Sequence, residues 1–290
     1  MEYTIDGTNA LFEAGTEGWI LKQLNGRPVT LALPRRLPDG GELREIAAKA
    51  LLGQTQLTSL TIPDSVIKIG DWAMAGCRSL NEVHMPECIL GKGVFRDCAA
   101  LVHLYVGEAH DTSALLAEAA RQDAAYLLQA GSIGSTEWYA AWDRWLKTFL
   151  EETDQEGYTG QVPCGEEDYW NFDVAAYESA RRMEKAQRSL LRLKNPAFLG
   201  EDFREELRKY IRGHSAGSPL GNEAWQLILT RHAEEEDWYA AFAEAGGLDL
   251  EDPETLIADI PDSFAAMKSF FLRFIADHRT ADPLWDKLEI

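Results

Sequence analysis

The sequence predicts an α+β chain: a short β-solenoid with an N-terminal β-hairpin over residues 1–110, then an acidic all-α domain over residues 111–290. Three observations carry this expectation. Leu57, Leu80 and Leu101 head segments that restart after 23 and then 21 residues, which is the mark of stacked repeats. Asn25-Gly26 separates two apolar, β-capable runs, and this pair suits a tight hairpin turn whose central residues need positive φ. From Thr112 onward helix formers dominate and no alternating β pattern interrupts them.

Periods of 20–29 residues with an L-x-x-L-x-Φ core, where Φ is apolar, belong to leucine-rich solenoids. Each unit lays down one short parallel strand and returns by a less regular segment. A single unit cannot bury its own apolar edge, so stacked units share a core. Leu57, Leu60 and Ile62 should therefore point inward, as should Leu80, Val83 and Met85, then Leu101, Leu104 and Val106. Leu33-Pro34 matches Ile62-Pro63 and Met85-Pro86, so the run ending at Leu33 doubles as the first strand of the array. The stretch from Leu43 to Gly53 matches Val66 to Gly76 in its spacing of apolar and small residues.

The fuller pattern, L-x-x-Φ-x-Φ-P-x-x-Φ-x-x-Φ-G-x-x-A-Φ-x-x-C, is met almost throughout by Ile62–Cys77. It resembles the BspA-like class of bacterial leucine-rich repeats, over about residues 29–107. The third unit departs: it is two residues shorter, and Val94-Phe95 replaces Ala73-Met74. The resemblance implies a binding scaffold, of a kind often displayed on cell surfaces, and implies no reaction.

The net charge is -20, and residues 111–290 hold most of the excess of acid over base. Such a field repels phosphate backbones, so nucleic acid is not an expected partner. It favours a basic one. No apolar run is long enough to predict a membrane span. Met1 to Asp6 lacks the basic and apolar regions of an export signal, so a cytoplasmic protein is expected; a surface adhesin would need a longer precursor.

In the second half, Thr112–Leu128 reads as a helix capping the open end of the solenoid. Ser135-Thr136 can cap the next helix, on which Trp138, Trp142, Trp145 and Phe149 share one face. That stripe is read as core rather than as a sugar platform. Residues 151–171 are acidic and turn-rich and read as a flexible loop. A long helix should follow from about Phe172 to Lys194, stopped before Pro196. Further helices are expected over Glu201–Arg212, Asn222–Arg231, Glu235–Ala245, Pro253–Asp259 and Asp262–Asp277.

The outward strand positions give two columns, Thr30, Ser59, Glu82, His103 and Ala32, Thr61, His84, Tyr105. Parallel neighbours lie about 4.8 Å apart, which sets Glu82 beside His103 and His84 beside Tyr105. As chemistry, Glu82 and His103 could act as acid and base, or His84 and His103 as metal ligands. As surface, Ser59, Thr61, Glu82, His84, His103 and Tyr105 form either a docking patch for a protein or peptide or a solvated polar face. A second candidate is the basic stripe Arg181, Lys185, Arg188 and Arg192, which could clamp an acidic ligand or phosphate. It could equally be a solvated face, or dock on the acidic loop at Glu166 to Asp168. Nothing glycine-rich precedes it to cradle a phosphate.

Cys77 and Cys98 share one repeat position and are read as a small-residue ladder inside the solenoid. Cys88 and Cys164 lie in a turn and a loop, and no C-x-x-C spacing occurs. His232, after Arg231 at a helix end, is read as a cation suited to the helix dipole. No hydrolase, metalloprotease, nucleotide-binding or calcium-loop motif is present. The expected function is a protein–protein interaction scaffold with no catalysis, metal or cofactor. The alternative is a ligand-binding or enzymatic helical domain using the stripe from Arg181 to Arg192 and the 151–171 loop.

Overall fold

The computed structural model describes residues 1–107, 112–128, 131–160, 172–250 and 253–279. The chain is α+β and forms two compact units, Met1–Trp142 and Asp143–Ile290. The composition shift at residue 110 and the unit boundary differ because the helix Ser113–Arg121 packs on the last repeat strand, and Trp142 bonds back to Leu115 of that helix.

The first unit opens with β1 (Glu2–Ile5), β2 (Thr8–Ala14) and β3 (Trp19–Asn25), an antiparallel meander. The N-terminal hairpin is β1–β2. Its two-residue turn, Asp6 (φ 47) and Gly7 (φ 81), takes the left-handed conformation at both positions, which matches the twist of the flanking strands. The hairpin expected at Asn25-Gly26 does not form. Strand β3 pairs with β2 and with β5 (Leu43–Ile46), whereas β4 (Thr30–Ala32) pairs with β6 (Ser59–Thr61). Neither Asn25 nor Gly26 has positive φ. The repeat register overrides the turn signal: Leu31 and Leu33 are buried in the solenoid core, and a hairpin would have turned them away from it.

The remaining strands are β7 (Lys68–Ile69), β8 (Glu82–Met85), β9 (Ile89–Leu90) and β10 (His103–Val106). Two sheets result, in the orders β1-β2-β3-β5-β7-β9 and β10-β8-β6-β4. Each full coil gives one strand to each sheet, so the chain crosses a corner where the hairpin was expected. The inward residues Leu57, Leu60, Ile62, Leu80, Val83, Met85, Leu101, Leu104 and Val106 are all buried. The expected match of Leu43–Gly53 to Val66–Gly76 is seen in the pairing of Glu45 with Lys68 and Ile46 with Ile69.

The open end is closed by α1 (Ser113–Arg121), which packs on β10. Leu115, Leu116, Ala117 and Ala119 are buried. The expected single helix to Leu128 breaks at Asp123 (φ 54). The break has a use: Asp123 Oδ1 accepts the Gly93 N–H at 2.9 Å, satisfying a backbone donor of the neighbouring coil. A 3-10 turn, Ala125–Leu128, follows, then α2 (Thr136–Glu151). Ser135 Oγ accepts the Trp138 N–H at 3.1 Å, the expected cap. Trp138 and Trp142 are buried, and their indole N–H groups donate to Leu127 O at 2.9 Å and Leu115 O at 3.2 Å. These two tryptophans are core, as expected.

The second unit is built round α3 (Val174–Lys194), started by Asp173, whose carboxylate accepts the Ala176 N–H at 2.8 Å. Against it pack α4 (Glu201–Gly213), α5 (Glu223–Arg231) and α6 (Glu236–Glu244). Helix α7 (Pro253–Ala258), a 3-10 turn (Asp262–Phe264) and α8 (Ala265–Arg279) complete the described chain. Trp225, Phe242 and Phe271 form its aromatic core, with ring centroids 5.7 to 6.5 Å apart. Of the loop expected over 151–171, residues 161–171 lie outside the described residues, with Cys164 and the Glu166–Asp168 cluster. The described part holds a 3-10 turn, Tyr158–Gly160, and Glu156 O accepts the Tyr177 hydroxyl at 2.6 Å. Among the described residues no helix is long and apolar enough to cross a membrane.

Candidate functional site

Strand alternation sends every second side chain of the four-stranded sheet outward. The register aligns Thr30, Ser59, Glu82 and His103 in one row and Ala32, Thr61, His84 and Tyr105 in the next. Both expected columns are present, residue for residue.

Side-chain size divides the face. On β4 and β6 it carries Thr30, Ala32, Ser59 and Thr61. On β8 and β10 it carries Glu82, His84, His103 and Tyr105. The His84 and Tyr105 rings stack, with centroids 4.4 Å apart and planes within 13°. His103 lies 6.0 Å from Tyr105 at 18°. Three near-parallel rings thus stand on the last two strands. The arrangement suits planar, π-bearing contacts.

The polar partners differ from the simplest expectation. Glu82 and His103 are aligned across strands, but the Glu82 carboxylate turns along its own strand to His84, with Oε1 at 2.5 Å from Nε2. His103 Nδ1 lies 3.2 Å from Ser113 Oγ. The acid–base pair that this alignment would allow is therefore not assembled, because each group has a nearer partner. Ser113 was not among the sequence candidates: it comes from α1, and no repeat position marks it. Glu82 and His84 remain 39% and 41% exposed, so the face is open to solvent.

The basic stripe has a different fate. Arg181 pairs with Glu152. Lys185 Nζ lies 2.8 Å from Asp154 Oδ1 and donates to Glu152 O at 2.5 Å. Arg188 sits over the Phe149 ring at 3.8 Å and lies 3.6 Å from Glu184. Arg192 is fully buried on Asp143. The cations of this stripe are thus spent on carboxylates and rings of their own unit, not presented as an open clamp. The carboxylates on Arg181, Lys185 and Arg192 lie 29 to 49 residues away in sequence, beyond the reach of helical spacing rules, whereas Glu184 is one helical turn from Arg188.

Cys77 and Cys98 are buried free thiols. Their Sγ atoms donate to Leu51 O and Met74 O, each at 3.2 Å, one coil back. This is the expected ladder. Burial pushes the Cys88 thiol up to about 12, so it is a thiol, not a thiolate, at neutral pH. His232 is corrected: burial lowers its pKa, against the opposing pull of Glu235. Its ring stacks on Trp238 at 3.8 Å and its Nδ1 lies 2.9 Å from Glu235 Oε1. It is a packed aromatic, not a helix-end cation. Among the described residues no three His, Cys, Asp or Glu side chains converge as a metal site requires.

A groove of about 470 Å³ in the second unit is lined by Lys194, Arg204, Arg208 and Asp237 among others. Lys194 there lies 4.0 Å over the Trp238 ring and 2.6 Å from Asp237, so its charge is already engaged.

Comparison with known proteins agrees with the repeat geometry. Residues 37–113 match the family described as BspA type leucine rich repeat region, in 6 copies. Among solved structures, the chain is similar to a leucine rich repeat protein of T. pallidum, with 25% identity and a TM-score of 0.33, over 35% of this chain and 49% of that one. It is also similar to a leucine rich cell surface protein of Faecalibacterium prausnitzii, with 24% identity and a TM-score of 0.31, over 37% and 31% of the two chains. A leucine-rich repeat protein of Bacteroides capillosus matches at 17% identity and a TM-score of 0.26, over 36% and 97%. The chain spans about half the length of the T. pallidum protein. No curated protein matches it.

Proposed function

Since residues 37–113 are a BspA-type leucine-rich repeat region, we propose that the protein is a protein–protein interaction scaffold whose partner docks on the four-stranded sheet. The observation that supports this most is the ring ledge of His84, Tyr105 and His103, standing half-exposed beside a shelf of small residues. Partners of solenoids commonly meet the extended surface that their stacked units create. Aromatic side chains anchor such interfaces, because they bury large area at low entropic cost. The proposal includes no catalytic step. It favours a basic partner, steered by a net charge of -20 that lies mostly in residues 111–290, and a cytoplasmic setting; an adhesin-like role at a cell surface is the alternative, which the upstream coding sequence decides.

The test is affinity capture from the source organism with identification of what binds. The full chain is compared with a variant carrying Glu82→Ala, His84→Ala, His103→Ala and Tyr105→Ala. Loss of the specific partners is expected. If every partner is retained by a folded variant, the sheet is not the interface.

A further inference from the structure

The sheet face has a shape that selects one kind of side chain. Strand β8 lies between β6 and β10. Tyr105, on β10, covers one face of the His84 ring, with centroids 4.4 Å apart. The opposite face of the ring is therefore turned toward β6. There the residue directly across is Thr61, and beyond it Ala32, both small and exposed. Among the described residues no second ring stacks on His84. Two strand spacings of about 4.8 Å give this shelf room for one flat group standing against the ring.

The wall beside the shelf is completed by Glu82. Its Oε1 is held by His84 at 2.5 Å, and among the described residues its Oε2 has no partner. The hydrogen bond fixes the carboxylate at the edge of the ring. A group that lies flat on His84 meets a hydrogen-bond acceptor in reach of its rim. The charge of the surroundings has the same sign. No Lys or Arg occupies either column, Glu87 is exposed without an ion pair among the described residues, and Arg35, three residues past Ala32 in the chain, is engaged with Asp64 at 3.0 Å.

We infer that the step between β8 and β6 receives a single arginine side chain of the partner protein, stacked on the open face of His84 and bonded to Glu82 Oε2. The inference rests on the sheet-face reading above and deepens it. A guanidinium is planar, carries N–H donors around its rim and stacks on aromatic faces. An ammonium shares the charge but not the plane. A phenyl ring shares the plane but cannot bond the carboxylate.

The test uses the full chain and three small probes, the N-acetyl amides of arginine, lysine and phenylalanine. The imidazole proton resonances are followed by NMR, with His84 assigned by its loss in His84→Ala. The arginine probe should shift the His84 signal saturably, and the other two should shift it several-fold less at equal concentration. Glu82→Gln should remove most of that preference. An equal response to lysine would reduce the site to bare charge, and an equal response to phenylalanine would reduce it to ring stacking; either overturns the inference. So does an unchanged arginine response in Glu82→Gln, or no response at His84. If the four-residue sheet variant loses its partners while the probes show no arginine preference, this inference fails and the sheet-face reading stands. If the partners persist on that variant, the reading itself fails.

Discussion

Arg192 and Asp143 form a two-point ion pair inside the helical unit. Guanidinium Nε and Nη2 meet the two carboxylate oxygens, with Nη2 at 3.1 Å from Oδ2. The same side chain donates to Asn195 O and, at 3.0 Å, to Ala197 O. It therefore ties helix α3 to α2 and fixes the turn that Pro196 makes obligatory. Removing one partner strands a buried charge, which costs about 3–5 kcal/mol. Asp143→Ala should lower stability by that amount in urea unfolding followed by tryptophan fluorescence. Arg192→Lys keeps the charge but loses the fork geometry. It should also destabilise, and a lysine variant as stable as the parent would contradict the two-point role.

The coil spacing can be tested at Gly70. A Cβ built there would lie 2.5 Å from the Ala48 backbone nitrogen, in the preceding coil. The obstacle is backbone, and adjacent coils are held by hydrogen bonds such as Gly70 N–H to Ile46 O at 2.8 Å. Gly70→Ala should cost about 1–3 kcal/mol through overpacking. Gly40→Ala, where a Cβ meets nothing within 4 Å but φ is +87, reports the separate cost of backbone conformation. Thermal melts of the two variants separate these effects; no loss at Gly70 would show that the coils can part.

His232 should make stability depend on pH. Burial lowers its pKa below the ordinary 6.5, with Lys194 and Arg231 acting in the same direction and Glu235 opposing. Above about pH 6.5 the imidazole is neutral in both folded and unfolded chains, so it adds no pH dependence. Below that value the unfolded chain takes up the proton more readily, and stability falls until the lowered folded pKa is reached. His232→Phe keeps a ring for Trp238 and cannot titrate. Its stability relative to the parent should rise between pH 7.5 and 5. Parallel pH profiles of the two proteins would refute the assignment.

The sheet face should be thermodynamically quiet. Glu82 and His84 are partly solvated, and exposed cross-strand neighbours contribute only about 0.2–1 kcal/mol. His84→Ala and Glu82→Gln should each change unfolding free energy by less than about 1 kcal/mol while weakening partner capture. A large loss of stability in either would move these residues from binding to structure.

The solenoid was legible because its information is local and repeated. Leu57, Leu60 and Ile62 recur at fixed spacing in the next two coils, and the same spacing dictates which residues face outward. The helices were legible from caps and stops, as at Ser135, whose hydroxyl caps the helix that follows, and before Pro196, where the long helix ends at Lys194. The turn at Lys49 (φ 62), Trp72 (φ 60) and Gly93 (φ 59) went unread. Only the third of these is a glycine, so composition does not announce the left-handed position that all three share.

The sequence by itself determined the coil register, the inward leucines, the cysteine ladder and the two outward columns, since each follows from a period of about 22 residues and strand alternation. Only the tertiary structure decided that β3 and β4 belong to different sheets, that Glu82 turns to His84 rather than His103, and that Arg192 is buried on Asp143. The physical reason is the same in each case. A local pattern sets the direction in which a side chain leaves the backbone. Its partner is chosen by packing between segments far apart in the chain, where burial outweighs turn propensity and a desolvated charge must find its counter-charge.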